Sequence, residues 1–212
     1  MKKLILLLLT AALLLAACAQ GETTAWEGEL LAMDTVMKLT LYGENAPQAG
    51  AAAMDRIREL EGLLSVTGEG SDVYRVNHTG SAQLSPDAAA LLDRALALCR
   101  ETDGALDVTV YPVVRAWGFT TGEYRVPDDG ELETLLERVD YRQASLEGDR
   151  VTLPEGVELD LGGVAKGYTG DQLMALLEGE GVASAIVELG GNVQALGAKP
   201  DGSPWRVALQ AP

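Results

Sequence analysis

The segment Glu158-Leu-Asp-Leu-Gly-Gly-Val-Ala-Lys-Gly-Tyr168 constrains this chain more than any other stretch. Alternation over Val157–Leu161 reads as a strand, which runs into paired glycines, a lysine and then a helix over Tyr168–Leu177. Glycines at such a junction let backbone N–H groups approach a phosphate closely, and the helix start adds a favourable dipole. Lys166 would supply a point charge to a pyrophosphate. Asp160, at the strand end, would accept hydrogen bonds from a ribose or base, or lie near a metal. A glycine turn carrying a solvated lysine is the plain alternative. The P-loop pattern is not met, because Lys166 is followed by Gly167, and a Rossmann Gly-x-Gly-x-x-Gly is absent.

The remaining patterning mixes helix and strand without strict βαβ alternation, which predicts an α+β fold. Leu30–Tyr42 alternates as one half-buried strand, with Met37, Leu39 and Leu41 on the inner face. Pro47–Leu64 carries Met54, Ile57, Leu60 and Leu64 at helical spacing. A second helix is punctuated by Ser85 as N-cap, Pro86 at its first position and Gly104 past its end. Its apolar face includes Leu91, Ala95, Leu98 and Cys99, so Cys99 reads as a small core residue. Asp129–Val139 predicts a third helix whose acids form a solvated face, and Ser145–Leu153 a hairpin around Gly148-Asp149. Ser184–Leu189 reads as a buried strand and Trp205–Leu209 as an alternating one. Trp117 and Phe119 sit in an apolar run and read as core packing. His78, in what reads as the polar loop Asn77-His-Thr-Gly80, is expected to be a surface histidine without a catalytic partner.

Charge and cysteine usage narrow the function classes. Lys and Arg total 16 against 32 Asp and Glu, a formal charge of −16, which repels a polyanion and excludes nucleic acid as a partner. With 47% hydrophobic residues the chain has enough apolar surface to fold. Two cysteines and one histidine cannot build a Cys/His zinc site.

The N-terminus has the layout of a secretory signal: basic Met1-Lys2-Lys3, apolar Leu4–Ala17, then Cys18. Leu15-Ala16-Ala17-Cys18 resembles the bacterial lipobox, in which the cysteine thiol is diacylglycerylated before cleavage; a cut after Ala17-Cys18-Ala19 is the ordinary-signal alternative. The expected organisation is a lipoprotein signal over 1–17, a lipidated tether over 18–29, and one domain over 30–212. Lipid would hold the protein on the extracytoplasmic face of a cell membrane, since an acidic surface gains nothing from anionic headgroups.

Several ordered stretches resemble the ApbE family of FAD:protein FMN transferases, bacterial lipoproteins formerly linked to thiamine biosynthesis. Asp160-Leu-Gly-Gly-Val-Ala-Lys-Gly-Tyr168 is similar to the family's FAD-binding motif. Met33-Asp34-Thr35, Leu64-Ser65 with Ser71-Asp72 and Asn77, and Gly104-Ala-Leu-Asp-Val-Thr109 with Pro112 and Trp117-Gly118-Phe119 match further elements. Glu188-Leu-Gly-Gly-Asn192 and Pro204-Trp205-Arg206-Val207 match the last two.

The resemblance implies an α+β flavin-transferase fold of mixed or antiparallel sheets packed with helices. It implies magnesium-dependent transfer of FMN from FAD to a threonine hydroxyl of an exported redox flavoprotein, with AMP leaving. Met33, Ala105, Leu106, Asp107, Asp160 and Lys166 would contact FAD, and the Gly163 carbonyl would be one Mg2+ ligand. Thr67 stands where the family often has a flavin-packing tyrosine. The family's domain is expected to continue past Pro212 with a further FAD contact and the Asp and Thr that complete the metal site, so the catalytic residues are not among these 212. On its own, this length of chain is expected to transfer little FMN. Two other readings stay open: an FAD pyrophosphatase of the same fold, splitting FAD to FMN and AMP, and a non-catalytic flavin-binding lipoprotein.

Overall fold

In a computed structural model that describes residues 25–209, strands β1 (Ala25–Ala32) and β2 (Thr35–Tyr42) pair as an antiparallel hairpin. The expected single strand over Leu30–Tyr42 is therefore broken at Met33-Asp34, where both residues take left-handed backbone, with φ of 49° and 59°. A two-residue hairpin turn of this hand requires positive φ at both central positions. Aspartate tolerates it and methionine rarely adopts it, so no glycine marks the reversal in sequence. The strand also begins inside the stretch expected as a tether, because Trp26 lays its ring against Gly28 and Gly50 and draws the chain onto the next helix. The lipobox at Cys18 and the apolar leader lie outside the described residues.

Helix α1 (Ala46–Leu64) follows, then α2 (Asp72–Thr79), β3 (Ser81–Gln83) and α3 (Pro86–Glu101). Ser85 caps α3 as expected, its hydroxyl accepting from the Ala88 N–H at 3.4 Å, and Cys99 is fully buried on its apolar face. A short helix α4 (Tyr111–Ala116) precedes α5 (Asp129–Leu136), which is capped by Asp128 and ends before the expected Val139. The hairpin at Gly148-Asp149 forms as strands β4 (Ser145–Glu147) and β5 (Arg150–Thr152). Helix α6 (Gly162–Gly179), β6 (Ser184–Leu189) and β7 (Asn192–Leu196) complete the order.

Two antiparallel sheets organise these elements, one ordered β1-β2-β6-β7 and the other β3-β5-β4. In the first, Met37 faces Leu189, Leu39 faces Val187 and Leu41 faces Ala185, all buried on one side. Ile57 of α1 and Leu173 and Leu177 of α6 close that core. The period-2 pattern of β2 thus meets the helical pattern of α1 and α6, as an α+β architecture requires. A second core gathers α2, α3, the small sheet and residues 157–165 around Val76, Leu92, Val151 and Leu159.

Val157–Leu161 is buried in alternation but is not a strand; it makes one parallel bridge, Val110 with Glu158. The amide side chain of Asn77 takes the place of a neighbouring strand. Its Nδ2 donates to the Leu159 carbonyl at 2.8 Å, and its Oδ1 accepts from the Leu159 N–H at 2.7 Å. Trp205–Leu209 likewise carries strand-like alternation without strand structure among the described residues. Trp205 instead donates its indole N–H to the Leu196 carbonyl at 3.3 Å and tilts against Tyr42. Alternation alone makes no strand when no partner edge is offered.

Candidate functional site

Met33 packs against both cores, and a cleft of about 480 Å³ opens at that junction. Its walls come from four places: the β1–β2 turn (Met33, Asp34), the end of α1 (Glu61, Leu64) with Ser65–Thr67 after it, Phe119-Thr120 beyond α4, and the start of α6 (Asp160, Gly162, Ala165, Lys166). Three of the expected ligand residues, Met33, Asp160 and Lys166, are thereby brought to one cavity from 133 residues of chain.

At the α6 end, the helix begins at Gly162 and not at Tyr168, so the paired glycines form its first turn and Lys166 sits on the helix itself. Asp160 folds back so that its Oδ1 accepts from the Gly162 N–H at 2.7 Å. A Cβ at residue 162 would lie 2.9 Å from that oxygen, so a side chain there would push the carboxylate aside. The carboxylate thus satisfies one N–H of the first turn of α6 and lines the cleft at once. Lys166 is half-buried and has no ion-pair partner among the described residues. Its ammonium is the one cation among the lining side chains, against the carboxylates of Asp34, Glu61 and Asp160.

Within the lining, the Met33 N–H donates to Glu61 Oε1 at 2.7 Å, tying the left-handed turn to the last turns of α1. The buried Thr169 hydroxyl of α6 donates to the Ala165 carbonyl at 2.8 Å and lies 3.9 Å from the Met33 sulfur. Behind α6, Arg56 pairs with Asp87, and the Tyr168 hydroxyl donates to the same carboxylate at 2.8 Å. The Arg56 guanidinium holds the Asp87 carboxyl below its ordinary range, while burial and the bond to Asp87 push the Tyr168 phenol up to about 12. The three side chains join α1, α3 and α6, and so fix the helix that carries Lys166.

Ala105, Leu106 and Asp107 do not line the cleft. Asp107 Oδ1 accepts from the Thr109 N–H at 2.8 Å and hydroxyl at 2.6 Å, and Oδ2 from the Tyr141 N–H at 2.9 Å. That pattern is a turn clamp. Leu106 reaches toward α6, where a Cβ at residue 163 would lie 3.9 Å from its Cδ1. Gly163 is exposed in the first turn of α6, where its carbonyl points along the helix. Among the described residues no group of three His, Cys, Asp or Glu side chains is placed to hold a metal ion. These residues do not by themselves fit an octahedral magnesium site.

Glu61 and Thr120, which sequence reasoning passed over, also line the cleft, together with Asp34, Ser65, Thr67 and Phe119 from the stretches that resemble the family's motifs. Phe119 corrects the expectation of core packing, being 61% exposed; Gly118 turns the chain outward there. Glu61 carries no local signal, since glutamate on a helix reads as solvated. His78 lies on α2 and not in a loop, stacked on Tyr74 at the surface, away from the cleft lining. Burial raises the Cys99 thiol, which leaves it inert.

The fold has close counterparts among solved structures. The ApbE protein of Thermotoga maritima superposes with a TM-score of 0.80 at 28% identity, covering 85% of this chain and 61% of that one. The flavinyl transferase ApbE of Pseudomonas stutzeri, in its apo form, gives 0.81 at 27% identity, covering 90% and 64%. This α+β architecture is therefore that of the ApbE flavin transferases. The profile of the ApbE family matches residues 33–212, and the chain belongs to that family. It is 33% identical to the FAD:protein FMN transferase of Salmonella typhimurium over 96% of its length, and spans 64% of that relative.

Proposed function

We propose that this chain carries the FAD-binding cleft of an FAD:protein FMN transferase. The observation that supports it most is the convergence of Met33, Asp160 and Lys166, the family's expected FAD contacts, on one cleft at the start of α6. An FAD pyrophosphate would lie toward Lys166, whose ammonium has no ion-pair partner among the described residues and would favour anionic oxygens. Asp160 and the Met33 turn would border the nucleoside parts. A threonine hydroxyl of an exported flavoprotein would form the new O–P bond to the FMN phosphate, and AMP would leave with the pyrophosphate bridging oxygen. Lys166 would offset charge building on the phosphoryl oxygens.

Magnesium dependence is part of this reading, and the lining charge supports it. Three carboxylates against one ammonium leave the described lining net negative, and a divalent cation would offset that charge beside a bound pyrophosphate. Lipid attachment at Cys18 would put the cleft on the extracytoplasmic side of a membrane. Cys18→Ser should move the protein from the detergent phase to the aqueous phase or leave it unprocessed, and unchanged partitioning would count against the anchor.

Titration with FAD and riboflavin, with magnesium and with chelator, tests the central reading. FAD should bind in preference to riboflavin, and more tightly with magnesium. Equal affinity for the two flavins would overturn it. Mass spectrometry of a threonine-bearing acceptor incubated with FAD separates transfer, which adds FMN to the acceptor, from hydrolysis, which releases free FMN.

A further inference from the structure

Among the described residues, Phe119 is the one aromatic side chain that lines the cleft. Its ring is 61% exposed, an unfavourable position for a phenyl group in water. The backbone holds it there. Gly118 has φ of +83°, and a Cβ at that position would collide with the Glu123 carbonyl, so the chain after α4 must reverse tightly at this point. The reversal is closed by hydrogen bonds from the Gly122 N–H to the Gly118 carbonyl at 2.9 Å and from the Arg125 N–H to the Trp117 carbonyl at 3.2 Å. The preceding helix α4 is itself pinned, Arg115 forming a two-pronged ion pair with Glu158 at 2.6 and 2.8 Å. Trp117 lies nearly parallel to Phe119, with centroids 6.4 Å apart at 14°, and Tyr124 meets its edge at 6.1 Å. An exposed ring braced on two aromatic neighbours, on a loop fixed by its own hydrogen bonds, has already lost the freedom that binding would otherwise take from it.

We infer that Phe119 is a ligand-binding residue, the platform on which a planar heteroaromatic ring of the bound dinucleotide stacks. This rests on the FAD reading above. The other described lining residues, Leu64, Val66 and Thr67 among them, carry no aromatic ring, so among them a flat ligand group finds its π-face on Phe119. Flavin and adenine rings both supply that chemistry.

The experiment titrates FAD, riboflavin and ADP into wild type, Phe119→Ala, Phe119→Leu and Phe119→Tyr. Phe119→Ala should weaken FAD by about ten-fold, as loss of one base-sized stack does, and Phe119→Leu nearly as much, while Phe119→Tyr stays near wild type. A parallel loss for riboflavin identifies the flavin as the stacked ring, and a loss for ADP identifies the adenine. Phe119 is exposed, so thermal unfolding of all three variants should match wild type. Phe119→Ala or Phe119→Leu binding all three ligands as tightly as wild type overturns the inference while leaving the FAD reading intact. A wild type that does not prefer FAD to riboflavin overturns that reading, and this inference with it.

Discussion

The N–H of Met33 donates to the carboxylate of Glu61 across 2.7 Å, joining a left-handed hairpin turn to a helix 28 residues further along the chain. The turn has no glycine to relax it, so the bond holds a backbone that methionine disfavours. Strain of this kind is held where the surroundings over-determine the conformation, and here they also form the wall of the cleft.

Glu61→Ala removes the acceptor and should destabilise the protein by about 1–2 kcal/mol in urea unfolding. Glu61→Gln keeps an acceptor oxygen and should restore most of that loss. FAD affinity should follow the same order, falling several-fold in the alanine variant. Equal FAD affinity in Glu61→Ala and wild type would mean that the turn holds its shape without this bond.

Lys166→Ala should weaken FAD by about ten- to a hundred-fold, the value of one charge-assisted contact, and leave riboflavin unchanged. Calorimetric titration of both flavins reads the difference. An equal loss for both would place Lys166 away from the phosphates.

Asn77 satisfies both backbone groups of the buried Leu159, so Asn77→Ala leaves an N–H and a carbonyl unpaired beneath α6. The expected loss is about 2–4 kcal/mol, and the Leu159 amide should become one of the first in its core to exchange with solvent. Retained protection at that amide would show that another partner or a water substitutes.

The Arg56–Asp87–Tyr168 cluster should give stability a pH signature. Asp87 is held below its ordinary value by Arg56, so its contribution is complete above about pH 4 and is lost as pH falls through the depressed folded value. Tyr168, raised to about 12, acts in the opposite range: its neutral phenol contributes fully below about pH 10 and loses that contribution as pH rises through its folded value. Thermal unfolding of Asp87→Asn against wild type should show a gap at neutral pH that closes in acid. A gap of constant size from neutral to strongly acidic pH would remove the ion pair from the account.

What could be read from sequence was local. Ser85-Pro86 marked the start of α3 because a cap and a fixed φ act within one turn. Gly148-Asp149 marked its hairpin for the same reason, and the alternation of Met37, Leu39 and Leu41 marked the buried face of β2. The glycine–lysine segment read as the entry to a helix, although that helix starts six residues earlier than periodicity suggested, since helix-weakening glycines hide a first turn whose Gly162 N–H is satisfied by Asp160. Tertiary structure alone decided the rest. Asn77 replaces a strand for a residue 82 positions away, and Glu61 fixes a left-handed turn that carries no glycine. Phe119 leaves the core because its loop closes on itself, not because its neighbours are polar. Residue periodicity reports which side of an element is apolar, whereas these three contacts depend on where separate elements come to rest once both cores are packed.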